Sequence, residues 1–206
     1  MGPGMQSILI SACVTIGLCA LNASSQEVQW ATNYYSVSGT NLAEVHRSIR
    51  RSRPWKNNSD AYGVTEWRVD WRFDLQGTDS GCRVQRFTTK TSIKITLPRW
   101  TQPTNAEPGI REVWNRYMKA LEQHEGGHAQ IGLAAAAEIR RKAIALSSSG
   151  TCDALKQTVN DSCSQALTEY RKKDEHYDRQ TEHGATQGAR LPEGRFRDRF
   201  RDDQSR

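Results

Sequence analysis

His124-Glu125-Gly126-Gly127-His128 is the part of this chain best suited to chemistry. On a helix, residues four apart lie on one face, so His124 and His128 project side by side. Two imidazoles so placed can grip one zinc ion, and the Glu beside them is positioned to act as a general base on water. The residues around the motif read as helix. Trp114, Tyr117, Leu121, His124, His128, Ile131, Ala135 and Ile139 step by three or four and form one apolar stripe that carries both histidines inward. Unliganded, each inward ring would need a buried hydrogen-bond partner. Gly126 and Gly127 each cost about 0.5–1 kcal/mol against Ala in a helix, so the spacing predicts a close approach to that backbone by a strand or a substrate.

A catalytic zinc usually has three protein ligands and one open position. Ile131 and Ala134 stand where a metzincin continuation needs Gly and His, so the third ligand must come from elsewhere. His183, His176, Asp178, Glu169 and Glu138 are the candidates. His183 is preferred, because Gly184 after it permits close backbone approach and the segment follows a second helix able to fold back along the first. The expected site is therefore His124, His128 and His183 on zinc, with Glu125 as base. Tyr177 is read as a donor to a developing oxyanion, and Asp178 as a group that orients a ligand ring. The expected reaction is peptide hydrolysis, with a peptide or protein as substrate.

The elements that must position these residues follow in order. Tyr34 to Val37 reads as a short strand. Leu42, Val45 and Ile49 mark a helix that ends at Arg53-Pro54. From Val64 to Leu75, Trp67, Val69, Trp71, Phe73 and Leu75 alternate with charged residues, which suits an antiparallel strand with one wet face. This strand or its partner is expected to wall the cleft and pair with an extended peptide. After the turn at Gln76 to Gly81, a second strand runs from Cys82 to Leu97, with a bulge expected within Thr88–Ser92 and Pro98 as its end. The long helix spans about Ile110 to Leu146. A second helix runs from Cys152 to about Lys173. Strands first and helices after predict an α+β fold with an N-terminal antiparallel sheet.

The whole chain has 206 residues, enough for one compact domain. Residues 1–25 read as a secretory signal, with a short apolar run followed by small residues, although no Lys or Arg precedes it. Residues 26–189 form the domain, and residues 190–206 read as a disordered basic tail. A secreted or periplasmic location follows, and an oxidising compartment with it. Cys82, Cys152 and Cys163 remain in the mature chain. In one helix Cys152 and Cys163 would lie about 16 Å apart, so the expected disulfide is Cys82–Cys152; a reversed turn between Cys152 and Cys163 would permit the other pairing. The net charge of +6 comes with no nucleic-acid-binding motif, and no segment is apolar and long enough to span a membrane. The sequence sets neither a subsite preference nor an oligomeric state.

Tyr35-Ser36-Val37-Ser38-Gly39-Thr40, Ala61-Tyr62-Gly63-Val64-Thr65-Glu66-Trp67, Ile95-Thr96-Leu97-Pro98-Arg99-Trp100, His124 to His128, and Tyr177-Asp178 with Thr181 to Ala189 carry a resemblance. The chain resembles the exported bacterial proteins known as predicted secreted zinc-dependent proteases, over nearly all of residues 34–189. The resemblance implies a zincin-like metallopeptidase domain and supplies no substrate. Two other readings stay open: a non-catalytic envelope protein in which zinc only staples the fold, and a metal-dependent amidase acting on cell-wall material. A purely structural site needs no base and is usually closed by four protein ligands, so Glu125 favours the hydrolase.

Overall fold

The computed structural model describes residues 25–55 and 61–192. The expected signal segment, residues 1–25, lies outside them apart from Ser25, and the expected tail, residues 190–206, lies outside them beyond Pro192. The elements are β1 (Gln26–Val37), α1 (Leu42–Ser52), β2 (Val64–Thr78), β3 (Gly81–Trp100), α2 (Ile110–Ile144), β4 (Ser147–Ser148) and α3 (Cys152–Thr181). The class is α+β, with a four-stranded sheet and three helices.

The sheet is mixed, which corrects the expectation of an antiparallel one. β2 and β3 form a long antiparallel hairpin, from Val64 opposite Thr96 to Thr78 opposite Gly81. β1 lies on the other side of β3 and runs parallel to it, from Gln26 opposite Thr89 to Val37 opposite Trp100. The chain reaches this arrangement because α1 carries it out of β1 and over to the hairpin. β1 is also longer than the Tyr34–Val37 strand expected. Residues Gln26 to Tyr34 are exposed on both faces, so they lack the alternation that marks a half-buried strand. Alternation holds on β2, where Trp67 and Val69 are buried between exposed Glu66 and Arg68. The bulge falls at Gln85, where Asp74 pairs Arg86 and Leu75 pairs Val84, not within Thr88–Ser92. Pro98 does not end β3. It lies beyond Thr96, where β2 pairing stops, so its missing N–H breaks no ladder on that side.

Caps explain where the helices start. Asn41 accepts from the Glu44 amide, while Glu44 reaches back to the amide and hydroxyl of Thr40, a reciprocal cap on α1. Thr151 caps α3 through the Ala154 amide. α2 lays its buried stripe across β2 and β3, with Tyr117, Leu121, His124, His128, Ala135 and Ile139 inward. Ile131 is only half-buried; Gly132 takes its place, because the Trp67 ring lies against it. α3 packs antiparallel to α2: Lys142 meets Glu169, His128 meets Asp174 and His124 meets Thr181. Arg171 of α3 stacks on the Trp67 ring at 3.7 Å and donates to the Trp67 carbonyl, tying α3 to β2.

The Cys82–Cys152 disulfide is present and joins the start of β3 to the first residue of α3, and Cys163 is a buried free thiol. Among the described residues, no helix is long and apolar enough to cross a membrane.

Candidate metal centre

α3 runs two turns beyond its expected end near Lys173, and those turns build the site. The inward residues there are Asp174, Tyr177, Asp178 and Thr181, with no aliphatic side chain among them. The apolar period therefore stops at Leu167 while the helix continues. Asp174 and Asp178 are four apart, as His124 and His128 are, so one pair of side chains faces the other across the two helices.

His124 Nε2 and His128 Nε2 lie 3.3 Å apart. Asp178 Oδ1 lies 3.2 Å from the first and 3.1 Å from the second. The other ring nitrogens are already engaged. His124 Nδ1 is 3.0 Å from Gln187 Oε1, and His128 Nδ1 is 2.8 Å from Asp174 Oδ1. Both oxygens are acceptors, so both Nδ1 atoms donate and a neutral ring presents a lone pair at Nε2. Two lone pairs and a carboxylate oxygen then converge on one point. Three acceptors in contact repel unless a cation sits among them. His128 expresses the same demand: burial alone would lower its pKa, but the hydrogen bonds and charges of Asp174 and Asp178 outweigh this and raise it to about 10. Asp178 is pulled the other way. Burial would raise its pKa, yet the two imidazoles and the His183 ring hold it well below the usual carboxylate range. The ligand atoms of His124, His128 and Asp178 lie within 4.8 Å of one another and could hold a metal ion.

His183 lies beside this group. Its Nδ1 is 3.2 Å from Asp178 Oδ1, and its side chain is 54% exposed against 3% for His124. His176 is exposed on α3, Glu138 pairs with Arg141, and Glu169 meets Lys142, so none of these reaches the imidazoles. Glu182 and His183 both take left-handed backbone, at φ 50° and 51°, which costs about 1–2 kcal/mol for each non-glycine residue. The His183 amide donates to the Asp178 carbonyl and the Gly184 amide to the Thr181 hydroxyl, offsetting that strain. The reversal brings Gln187 back to His124. It requires Gly184, since a Cβ there would meet His124 Cγ at 2.9 Å.

Glu125 is 3% exposed, and its Oε2 accepts from the Thr65 hydroxyl of β2 at 2.7 Å. Burial raises its pKa; the Thr65 hydrogen bond and the nearby His124 and His128 oppose the rise. Gly63 admits the carboxylate, since a Cβ there would stand 2.6 Å from Oε1. The close approach expected at the helical glycines is real at Gly127, where a Cβ would meet Tyr177 Cζ at 2.5 Å. Around Gly126 nothing lies within 4 Å of that position. The Tyr177 ring stacks on His124 and meets His128 edge-on, with centroids 5.1 and 5.0 Å away. Its hydroxyl is 3.3 Å from the His124 carbonyl and 3.1 Å from Gln187 Nε2. Tyr177 thus braces both imidazole rings, its hydroxyl engaged on the helix backbone.

A family model described as a bacterial protein of unknown function, DUF922, matches residues 32–184. The chain belongs to that family. The DUF922 match runs from within β1 to Gly184 and so contains Glu125, both imidazoles, Asp178 and His183. No curated protein and no solved structure matches the chain.

Asp174, Thr181, Gln187 and Thr65 have no role assigned from the sequence. Asp174 carries a spacing signal, four residues before Asp178 as His124 is before His128, and Thr65, Thr181 and Gln187 lie in the stretches that carry the resemblance. Thr65 and Gln187 are distant in sequence and meet the site through the fold.

Proposed function

We propose that this protein is an exported metal-dependent peptidase whose zinc ligands are His124, His128 and Asp178 and whose general base is Glu125. The observation that carries the proposal is the convergence of three acceptors, both imidazoles held at Nδ1 by Gln187 and Asp174, beside a buried carboxylate. Zinc, when bound, supplies Lewis acidity and makes a water acidic enough to react near neutral pH. Glu125 takes the proton from the attacking water and returns it to the leaving amine. Its burial supports both halves of that task, because a carboxylate with a raised pKa holds the proton long enough to deliver it. Thr65 holds the carboxylate in place from β2. Among the described residues three candidate ligands converge, with a base beside them, which favours a reactive centre over a purely structural one. The disulfide and the absence of a membrane-spanning helix among the described residues are compatible with export.

The test compares the purified mature protein with a Glu125→Gln variant. Both are expected to contain one zinc per chain by plasma mass spectrometry. Only the wild type is expected to cleave a mixed peptide library, and the variant should lose at least about 100-fold in rate. A metal-free wild type, or a variant with full activity, would sink the proposal.

A further inference from the structure

A cleft of about 560 Å³ opens beside the metal centre, with Asp178 and His183 in its wall. Its volume is that of a small-ligand site. Three guanidinium groups line it from three parts of the chain: Arg50 from α1, Arg179 from α3 and Arg190 from the segment after the reversal. Two carboxylates share the lining, Asp178 and Glu182. The first belongs to the metal site, so Arg50 and Arg179 share the lining with one remaining acidic side chain, Glu182. Arg179 reaches Glu175 only at 3.9 Å, with both side chains about two-thirds exposed, a contact too weak to hold it from a ligand. Leu121 and Leu191, buried at 2% and 0%, form an apolar floor. Low-dielectric walls strengthen the field of the arginines above them. The far wall is ordered by a hydrogen-bonded pair, His46 Nδ1 to the Tyr62 hydroxyl at 3.1 Å, with His46 Nε2 directed to the Pro192 carbonyl.

We infer that this cleft is the substrate subsite and selects a carboxylate on the peptide, with Arg50 and Arg179 as the recognising groups. The inference rests on the proposed peptidase reading for its substrate class. Arginine suits the task because its planar fork meets a carboxylate with two parallel hydrogen bonds. The carboxylate comes from an acidic side chain next to the scissile bond or from the free C-terminus of a short peptide.

The test reads binding, so that it survives failure of the hydrolytic reading. Dye-labelled hexapeptides identical except for one central Glu or Gln, each as C-terminal acid and as amide, are titrated against the Glu125→Gln protein by fluorescence anisotropy. The carboxylate-bearing peptide is expected to bind about tenfold tighter than its neutral twin, the range of a charge-assisted hydrogen bond. The Glu/Gln pair and the acid/amide pair tell the two carboxylate sources apart. Adding Arg50→Glu and Arg179→Glu should abolish or invert the preference, and 0.5 M NaCl should weaken it. Circular dichroism and zinc content establish that the substituted protein is folded; if it is not, Arg50→Gln and Arg179→Gln are used. Equal binding of charged and neutral peptides, or a preference that survives the substitutions, overturns the inference. Loss of peptide cleavage with an intact preference overturns only the peptidase reading.

Discussion

Asp178 Oδ1 is the atom on which the residue-scale argument turns, because His124, His128 and His183 all point a ring nitrogen at it from 3.1–3.2 Å. Its lower exposure, 32% against 54% for His183, and its place between both Nε2 atoms favour Asp178 as the third ligand in the proposed site, with His183 orienting it from the exposed side. Asp178→Ala is expected to weaken zinc binding at least about 100-fold in a chelator competition, and His183→Ala at most about tenfold. The reverse order would make His183 the ligand, as its sequence position suggested. A pH dependence follows from His128. In the metal-free protein its folded pKa of about 10 exceeds the usual 6.5. The stabilisation is complete below about 6.5 and lost as pH rises through about 10. The melting temperature of chelator-treated protein should therefore fall from pH 7 to 10. Zinc binding has the opposite slope, because it needs Nε2 deprotonated. The gain in melting temperature on adding zinc should grow over that window, and a flat profile for both would contradict the assignment of His128.

At the scale of elements, two glycines one residue apart separate packing from helix propensity. Gly127→Ala places a methyl group against the Tyr177 ring, which cannot retreat without releasing His124. Overpacking of this kind typically costs about 1–3 kcal/mol. Gly126→Ala meets nothing, and propensity alone predicts a gain of about 0.5–1 kcal/mol. Urea unfolding of the two variants should shift in opposite directions; equal shifts would show that the Tyr177 contact is not rigid. The elements themselves were largely legible. α1 announced its apolar face at Leu42, Val45 and Ile49 and its end at Arg53-Pro54, and β2 announced its two faces through Trp67 and Val69 against Glu66 and Arg68. β1 was shortened and α3 cut off for one shared reason: apolar periodicity reports an element only where one of its faces is buried in apolar surroundings. Gln26 to Tyr34 are exposed throughout, and the inward face of the last turns of α3 is Asp174, Tyr177, Asp178 and Thr181, packed against imidazoles and not an aliphatic core.

For the whole molecule, the disulfide closes a sequence span of 70 residues that holds the rest of β3, the connector and all of α2. Its removal by Cys82→Ser with Cys152→Ser should cost about 2–5 kcal/mol in urea unfolding, with the buried Cys163 left unaltered. An unchanged midpoint would mean that helix and sheet packing alone hold the base of α3. The sequence alone placed the two imidazoles and Glu125 on one long helix, because that is written in local spacing. It favoured the Cys82–Cys152 pairing that the fold carries but left another open, since a turn between Cys152 and Cys163 would have allowed it. It could not rank Asp178 against His183, foresee β1 parallel to β3, or find Thr65 behind Glu125 and Gln187 behind His124. Those depend on the antiparallel docking of α3 on α2 and on the left-handed reversal at Glu182–Gly184. Both set distances between residues that no periodicity connects, and a coordination site is made of such distances.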